Sequence, residues 1–425
     1  MITILLVLVF IIGYAAIAFE HALNLNKAAS ALLTGVLCWT IFTLQSESPH
    51  HVTEELMLHL GSISSILFFL LGAMTIVELI DSHHGFDIIT QKISTTSKRR
   101  FLLIVTVLTF FLSALLDNLT TAIVMASLCS KILDSKEDRL WFSGMIIIAA
   151  NAGGAWSPLG DVTTTMLWIG GQITAWNIMK QLLLPSLAVC IVPLIVIGNR
   201  FKHKKMDTQP VSSLTEVEKG EGRIILFSGI GMLIFVPVFK TLTHLPPFMG
   251  MLLALGLMWV ITTLLHKDKQ PEEARKFTVA KALQKVDTPS ILFFLGILLA
   301  VSSLESFGLL KDVADMLSRT LKNDYLIGIA LGLFSAILDN VPLVAASQGM
   351  YDLSVYPTDH PFWEFLALTT GTGGSAIIIG SAAGVAIMGI EHINFLWYLK
   401  KISLLALIGF VTGILVFLLQ QQVSH

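Results

Sequence analysis

The sequence predicts an all-α polytopic membrane protein: two repeats of opposite membrane orientation, each with a re-entrant helical hairpin and an interrupted helix. Three observations carry this. Apolar residues make up 54% of the 425 and charged residues only 13%, where a soluble domain carries about 25% charged, and the mean hydropathy is +0.79. Basic residues are spread unevenly over the loops. Three sequence blocks recur in the same order in the two halves of the chain.

Residues 1–63 hold two apolar runs of spanning length, 2–19 and 28–44, read as N-terminal scaffold helices. The small residues of "YAAIA" would suit a leader-peptide cleavage site, but no basic stretch precedes the first run, so it is read as a retained helix. A first repeat follows at 64–198, with a span at 64–80, a hairpin at 101–133, a broken helix at 141–176 and a span at 181–198. A cytoplasmic linker at 199–222 leads to scaffold spans and a loop at 223–286. The second repeat, 287–425, has its span at 289–304, hairpin at 325–352, broken helix at 363–390 and closing span at 402–419.

Charge orients these elements. Placing the N-terminus outside, in the periplasm, puts 22 of the 27 basic residues on the cytoplasmic side, as the positive-inside rule requires. Residues 101–133 are flanked by basic clusters at both ends, "SKRR" and "KEDR". Their 33 residues make about 50 Å of helix, short of the roughly 60 Å that two crossings and a turn need. Residues 325–352 are shorter still. Both segments therefore read as hairpins that return to the side they left, with tips at Asp117-Asn118 and Asp339-Asn340.

The duplication is explicit. "SILFFLLGAMTIVE" at 65–78 returns as "SILFFLGILLAVSS" at 290–303, "SALLDN" as "SAILDN", and "NAGGAWSPLGD" at 151–161 as "GTGGSAIIIGS" at 371–381. On the charge-derived orientation the first unit enters from outside and the second from inside. Inverted repeats with broken helices are the architecture of secondary transporters, whose site lies near the midplane. Broken backbone is tolerated at that depth only where it lines a cavity or packs in protein. Close helix packing accounts for Gly380, Ala382 and Gly384, but not for Asn151, Asp161, Thr163, Thr164 and Thr165 in the first break.

Asp117, Asp161 and Asp339 fall at membrane depth, where an ionisable residue is costly and a functional candidate. Burial favours the protonated form of a carboxyl, so such a group holds a proton until a cation replaces it. Carboxylates, Asn and Thr oxygens and free carbonyls suit a hard cation such as Na⁺. No Lys, Arg or His lies within 110–127, 146–170, 332–350 or 366–390, which weighs for a cation and against an anion. Asp287 and Thr288, ahead of Pro289, read first as a helix cap and second as an ion-access point. Histidines such as His50, His51, His59, His83 and His84 read as solvated loop residues rather than pH sensors. The net charge of −2 excludes a nucleic-acid surface, and three cysteines in apolar runs exclude a disulfide framework.

At "SALLDNLTTA", "NAGGAWSPLGDVTTTMLWIGG", "SAILDNVPLVAA" and "TGTGGSAIIIGSAAGVAIMG" the chain resembles the NhaD-type sodium/proton antiporters of the ion transporter superfamily, over about residues 5 to 418. The resemblance implies an inverted-repeat transporter that exchanges Na⁺, and often Li⁺, for H⁺ in a bacterial inner membrane, with a dimerising scaffold and a mobile transport unit. It implies no resident cofactor. Carried over by position, the site comprises Asp117, Asn118, Thr120, Asn151, Asp161, Thr163 and Thr164, with Asp339, Asn340, Thr372 and Ser375, and Ser113 and Ser335 as further ligands. The repeats differ at two of these positions: Pro342 stands for Thr120 and Ser381 for Asp161. One strong site, weighted toward the first repeat, is expected. The rival readings are an oxyanion or dicarboxylate transporter of the same fold and, more remotely, an intramembrane aspartyl protease.

Overall fold

The computed structural model describes residues 2–424 except positions 19, 24, 47, 91–94, 203, 206–215, 268, 271–276 and 338. The expected linker at 199–222 and the loop ahead of 287 thus lie partly outside the described residues. Among those described, every regular element is helical, and eight helices are long and apolar enough to cross a membrane. The chain is a multi-pass membrane protein.

Helices α1 (Ile2–Ala18), α2 (Glu20–Leu23) and α3 (Lys27–Gln45) open the chain. Asn26 caps α3 by accepting from the amide of Ala28 at 2.9 Å. Helix α4 (Pro49–Ser82) runs unbroken for 34 residues, about 51 Å, so the expected boundary at 63/64 falls inside one continuous rod. Proline sets its first turn. The short α5 (Gly85–Thr90) follows.

Helices α6 (Lys98–Leu116) and α7 (Asn118–Ile132) break at Asp117 and pack on one another. Lys98 Nζ pairs with Asp138 Oδ2 at 2.6 Å in the first turn of α8 (Lys136–Ala155). The chain therefore comes back beside the point where α6 began. After a six-residue break (156–161), α9 (Val162–Ile169) and α10 (Ala175–Arg200) complete the first half. Helices α11 (Glu216–Thr243), α12 (Pro247–Leu265) and α13 (Val279–Lys285) lead to α14 (Thr288–Ser306), which packs along α3. Trp39 Nε1 donates to Leu299 O across that interface at 2.8 Å.

The second half repeats the plan. After α15 (Leu309–Leu321) come α16 (Asp324–Phe334) and α17 (Asn340–Met350), with Asp339 immediately ahead of α17. Helix α18 (Pro361–Gly373), a single 3-10 turn (Ile378–Gly380) and α19 (Ala382–Glu391) form the second interrupted helix. Helix α20 (Phe395–Lys401) meets α19 at 117°, and α21 (Ser403–Ser424) closes the chain.

The duplication reaches individual atoms. Ser113 Oγ donates to Ala150 O at 2.6 Å, and Ser335 Oγ donates to Thr370 O at 3.0 Å. A methyl group on Gly153 would sit 2.2 Å from Phe110 O, and one on Gly373 would sit 2.0 Å from Gly332 O. Backbone cannot yield at such distances, so only glycine lets each broken helix touch its hairpin. Helix α6 packs on α8 as α16 packs on α18. The second arms cross over, α7 onto α19 and α17 onto α9. Each half thus completes the other.

The reading of the histidines as solvated loop residues is corrected at four positions: His50, His51 and His59 lie within α4, with His59 Nε2 3.0 Å from Ser306 Oγ, and His83 caps that helix. His83 is 3% exposed, with its ring 5.1 Å from that of His266 and 5.0 Å from Phe277. Its Nδ1 lies 2.7 Å from Leu79 O. The end of α4 that it caps packs against α11 and α12, a tertiary contact that no local pattern announces.

Candidate functional site

Three helices begin at the three aspartates. Asp117 Oδ1 accepts from the amide of Thr120 at 2.8 Å, and its Oδ2 accepts from Thr120 Oγ1 at 2.8 Å. Asp161 Oδ1 accepts from the amide of Thr163 at 3.1 Å. Asp339 Oδ1 accepts from the amide of Val341 at 3.2 Å. Each carboxyl thereby satisfies an otherwise unpaired helix N–H and faces the positive end of the helix dipole. Ser381, the repeat mate of Asp161, caps α19 through the amide of Gly384 at 3.2 Å. Asp117 is held at φ 84°, a left-handed conformation rare for a residue with a side chain, and both of its oxygens are engaged by Thr120 to keep it there.

Asp161 is the centre. It is 2% exposed, and both hairpin-tip asparagines converge on it. Asn118 Nδ2 donates to its Oδ2 at 3.2 Å, and Asn340 Nδ2 donates to the same oxygen at 3.2 Å. Asn118 Nδ2 also approaches Asn151 Oδ1 at 3.1 Å. Asn151, fully buried, donates to Ser375 Oγ and Ser381 Oγ, each at 2.9 Å. A continuous polar network thus links both tips and both helix breaks. Polar side chains this deep are costly unless paired, and these are paired with each other.

Asp117, Asp161 and Asp339 line one inner cavity of about 60 Å³, together with Asn118, Thr165 and Asn340. They do not close into a ready-made cage: among the described residues no three acidic, histidine or cysteine side chains gather as a metal cluster. Asp161 sits within the network, while Asp117 and Asp339 stand at its flanks. A larger vestibule of about 400 Å³ adjoins, lined by Glu78, Asp81, Thr120, Lys285 and Asp287.

Other expected ligands donate their hydroxyl hydrogens to backbone carbonyls. Thr372 Oγ1 donates to Leu368 O within its own helix, and Thr164 Oγ1 donates to Ala155 O at 3.3 Å. Ser113 and Ser335 stitch the hairpins to the broken helices, as described above. Asp287 accepts from the amide and hydroxyl of Ser290 and caps α14, so its first reading holds, while its carboxyl also lines the vestibule. Thr288 Oγ1 donates to Val286 O at 3.3 Å.

Two residues were missed. Ser381 was legible as the position matching Asp161 and joins the network through Asn151. Lys27 was not. It stands in the first turn of α3, far from every motif, and its Nζ lies 3.9 Å from Asp339 Oδ2. The expectation of a site free of basic side chains is corrected at this one position.

Comparison with known proteins agrees with this architecture. A family model described as citrate transporter (CitMHS) matches residues 9–371. Sodium/proton antiporter 1 of Arabidopsis thaliana is 47% identical over 97% of this chain and 71% of its own length. The Na(+)/H(+) antiporter NhaD of Vibrio cholerae is 31% identical over 98% of this chain and 91% of its own. Among solved structures, the Neisseria gonorrhoeae efflux pump MtrF superposes with a TM-score of 0.51 at 11% identity, covering 87% of this chain and 84% of that one, a likeness of fold alone. The chain therefore belongs to the citrate transporter (CitMHS) family and, within it, to the sodium/proton antiporters of the NhaD type.

Proposed function

We propose that the protein exchanges Na⁺ for H⁺ across a membrane, with the two ions alternating at Asp161. The observation that carries this is the convergence of Asn118 and Asn340, one from each hairpin, on a single carboxyl that is 2% exposed. A buried carboxyl must hold a proton, a cation or a set of donors. Here the donors are two amides, and an amide turned by 180° presents its oxygen in place of its NH₂. A Na⁺ ion at this point meets the Asp161 carboxylate and two amide oxygens, with Asp117 and Asp339 nearby. Departure of the ion lets a proton or the amide NH₂ groups return.

The named relatives are antiporters of sodium and protons, which supports the same exchange here. In the finer reading Li⁺ is also carried and the membrane is a bacterial inner membrane with the N-terminus in the periplasm. The repeats are inverted, the hairpins re-enter, and two copies pair through the scaffold. The acidic vestibule lined by Glu78, Asp81 and Asp287 would then be the cytoplasmic approach.

A second reading, transport of a carboxylate anion, has one feature in its favour: Lys27 faces the cavity. Charge weighs against it. Helix N-termini bind anions, and here Asp117, Asp161 and Asp339 already supply the anions at three of them. Three carboxyls against one ammonium leave a site suited to a cation.

The test is reconstitution. Purified protein in liposomes with a preset pH gradient should collapse that gradient on addition of Na⁺, compared with Li⁺, K⁺ and citrate, with and without a membrane potential. Collapse by citrate and not by Na⁺ would replace this reading with the second.

A further inference from the structure

The inner cavity and the vestibule share a neck, and one cation stands in it. Lys27 lines both spaces, together with Met74, Leu119, Ser290 and Ala382. Its Nζ lies 3.9 Å from Asp339 Oδ2 and 4.6 Å from the centre of the Phe293 ring. An ammonium over an aromatic face and near a carboxylate is held from two sides.

Two further facts argue against a plain membrane anchor. An interfacial lysine extends toward lipid headgroups, whereas this one turns inward, with its side chain 24% exposed. It also occupies the first turn of α3, where the helix dipole disfavours a cation. The two repeats then differ in an informative way. In the first, Asp117 Oδ2 is taken by the hydroxyl of Thr120. In the second, Pro342 replaces that threonine, and the corresponding oxygen of Asp339 faces Lys27 instead. The neutral partner of one repeat is a charged partner in the other, supplied by the scaffold.

We propose that the Lys27 ammonium is a tethered competitor for the transported cation: it sits against Asp339 when the site is vacant and must withdraw when Na⁺ enters through the neck. This rests on the exchange reading above and adds to it a residue that sets apparent affinity. Lys27 belongs to α3, Asp339 to the hairpin and Phe293 to α14. The contact therefore joins scaffold to hairpin tip, and its release frees one from the other.

The experiment is Na⁺-dependent collapse of a pH gradient in liposomes, read as separate KM and maximal rate for the parent, Lys27→Met, Lys27→Gln and Lys27→Arg. Removing the competing charge should lower the Na⁺ KM about tenfold in Lys27→Met, the scale set by a partly screened charge pair, and Lys27→Arg should restore a high KM. In an Asp339→Asn background, Lys27→Met should no longer change KM. An unchanged or raised KM in Lys27→Met, or equal shifts in Lys27→Met and Lys27→Arg, would overturn the proposal and leave Lys27 a packing role. Lys27→Gln is read by the same criterion, so a folding defect in one neutral variant does not decide the matter. If the parent itself gives no Na⁺-dependent collapse, the exchange reading fails and this proposal with it. If the parent exchanges and the neutral variants keep its KM, only this proposal fails.

Discussion

Replacing Asp161 by Asn keeps the shape of the side chain and removes its charge. Asp161 accepts from Asn118 Nδ2 and Asn340 Nδ2 at 3.2 Å and from the amide of Thr163 at 3.1 Å. An Asn offers one acceptor oxygen where the carboxylate offers two, so at least one of these donors then meets another N–H. Hydrogen bonds to charged groups contribute about 1.5–3 kcal/mol. Losing one is offset in part by no longer burying a charge, so the change in stability should be small. The effect on the ion is larger. A carboxylate about 4 Å from a cation contributes about 4 kcal/mol at an effective dielectric constant near 20, or about a thousandfold in affinity. Purified Asp161→Asn protein should therefore be monodisperse, with Na⁺ binding weaker by about three orders of magnitude as read by radioactive-sodium binding, and no Na⁺-driven proton movement in liposomes. A well-folded variant that binds Na⁺ within tenfold of the parent, or exchanges at a comparable rate, would refute the placement of the ion at this carboxyl.

Asn118→Ala and Asn340→Ala should each weaken Na⁺ binding about tenfold, and the double variant should lose less than the product, because both act through one carboxyl; strict additivity would count against a shared centre. Acid should weaken the packing at the end of α4 around His83, whose pKa burial pushes down from 6.5 to about 4. The unfolded chain then binds the extra proton between those values, so stability is full above about 6.5 and falls as pH drops toward 4, by up to about 3 kcal/mol. Thermal unfolding in detergent at pH 7 and pH 5 checks this, and His83→Phe should flatten the dependence. Cysteine placed at the exposed Glu54 should label from the periplasmic side and at the exposed Lys202 from the cytoplasm; the native Cys38, Cys129 and Cys190 are buried and give little background. Reversed labelling would invert the orientation.

What the sequence disclosed, and what it withheld, follows from the range of the forces involved. The helical, membrane-embedded class is written in composition, because burying that much apolar surface in lipid leaves helices as the means of pairing the backbone. Duplication is written in the matched blocks, and it extended to pairs such as Ser113 with Ser335 and Gly153 with Gly373, whose contacts coincide. Asp161, Asn118 and Asn340 could be read as candidate site residues because polar groups at membrane depth are few. Lys27 and the burial of His83 could not be read, since each depends on a partner more than 170 residues away in the chain. Nor did the sequence disclose where the hydroxyl hydrogens are donated. Thr164, Thr372, Ser113 and Ser335 are spent on backbone carbonyls, an arrangement decided by where each neighbouring helix breaks.

The pairing of Asp161 with Ser381 has a consequence of its own. Both residues open a half-helix in nearly the same backbone conformation, φ −142° and ψ 142° against φ −146° and ψ 151°, yet one is acidic and the other is a neutral alcohol. The chain thus carries a built-in uncharged twin of the acid at the centre of its candidate site. Installing an acid at Ser381, or an alcohol at Asp161, would ask whether the direction in which the protein leans is set by architecture or by which of the twins bears the charge.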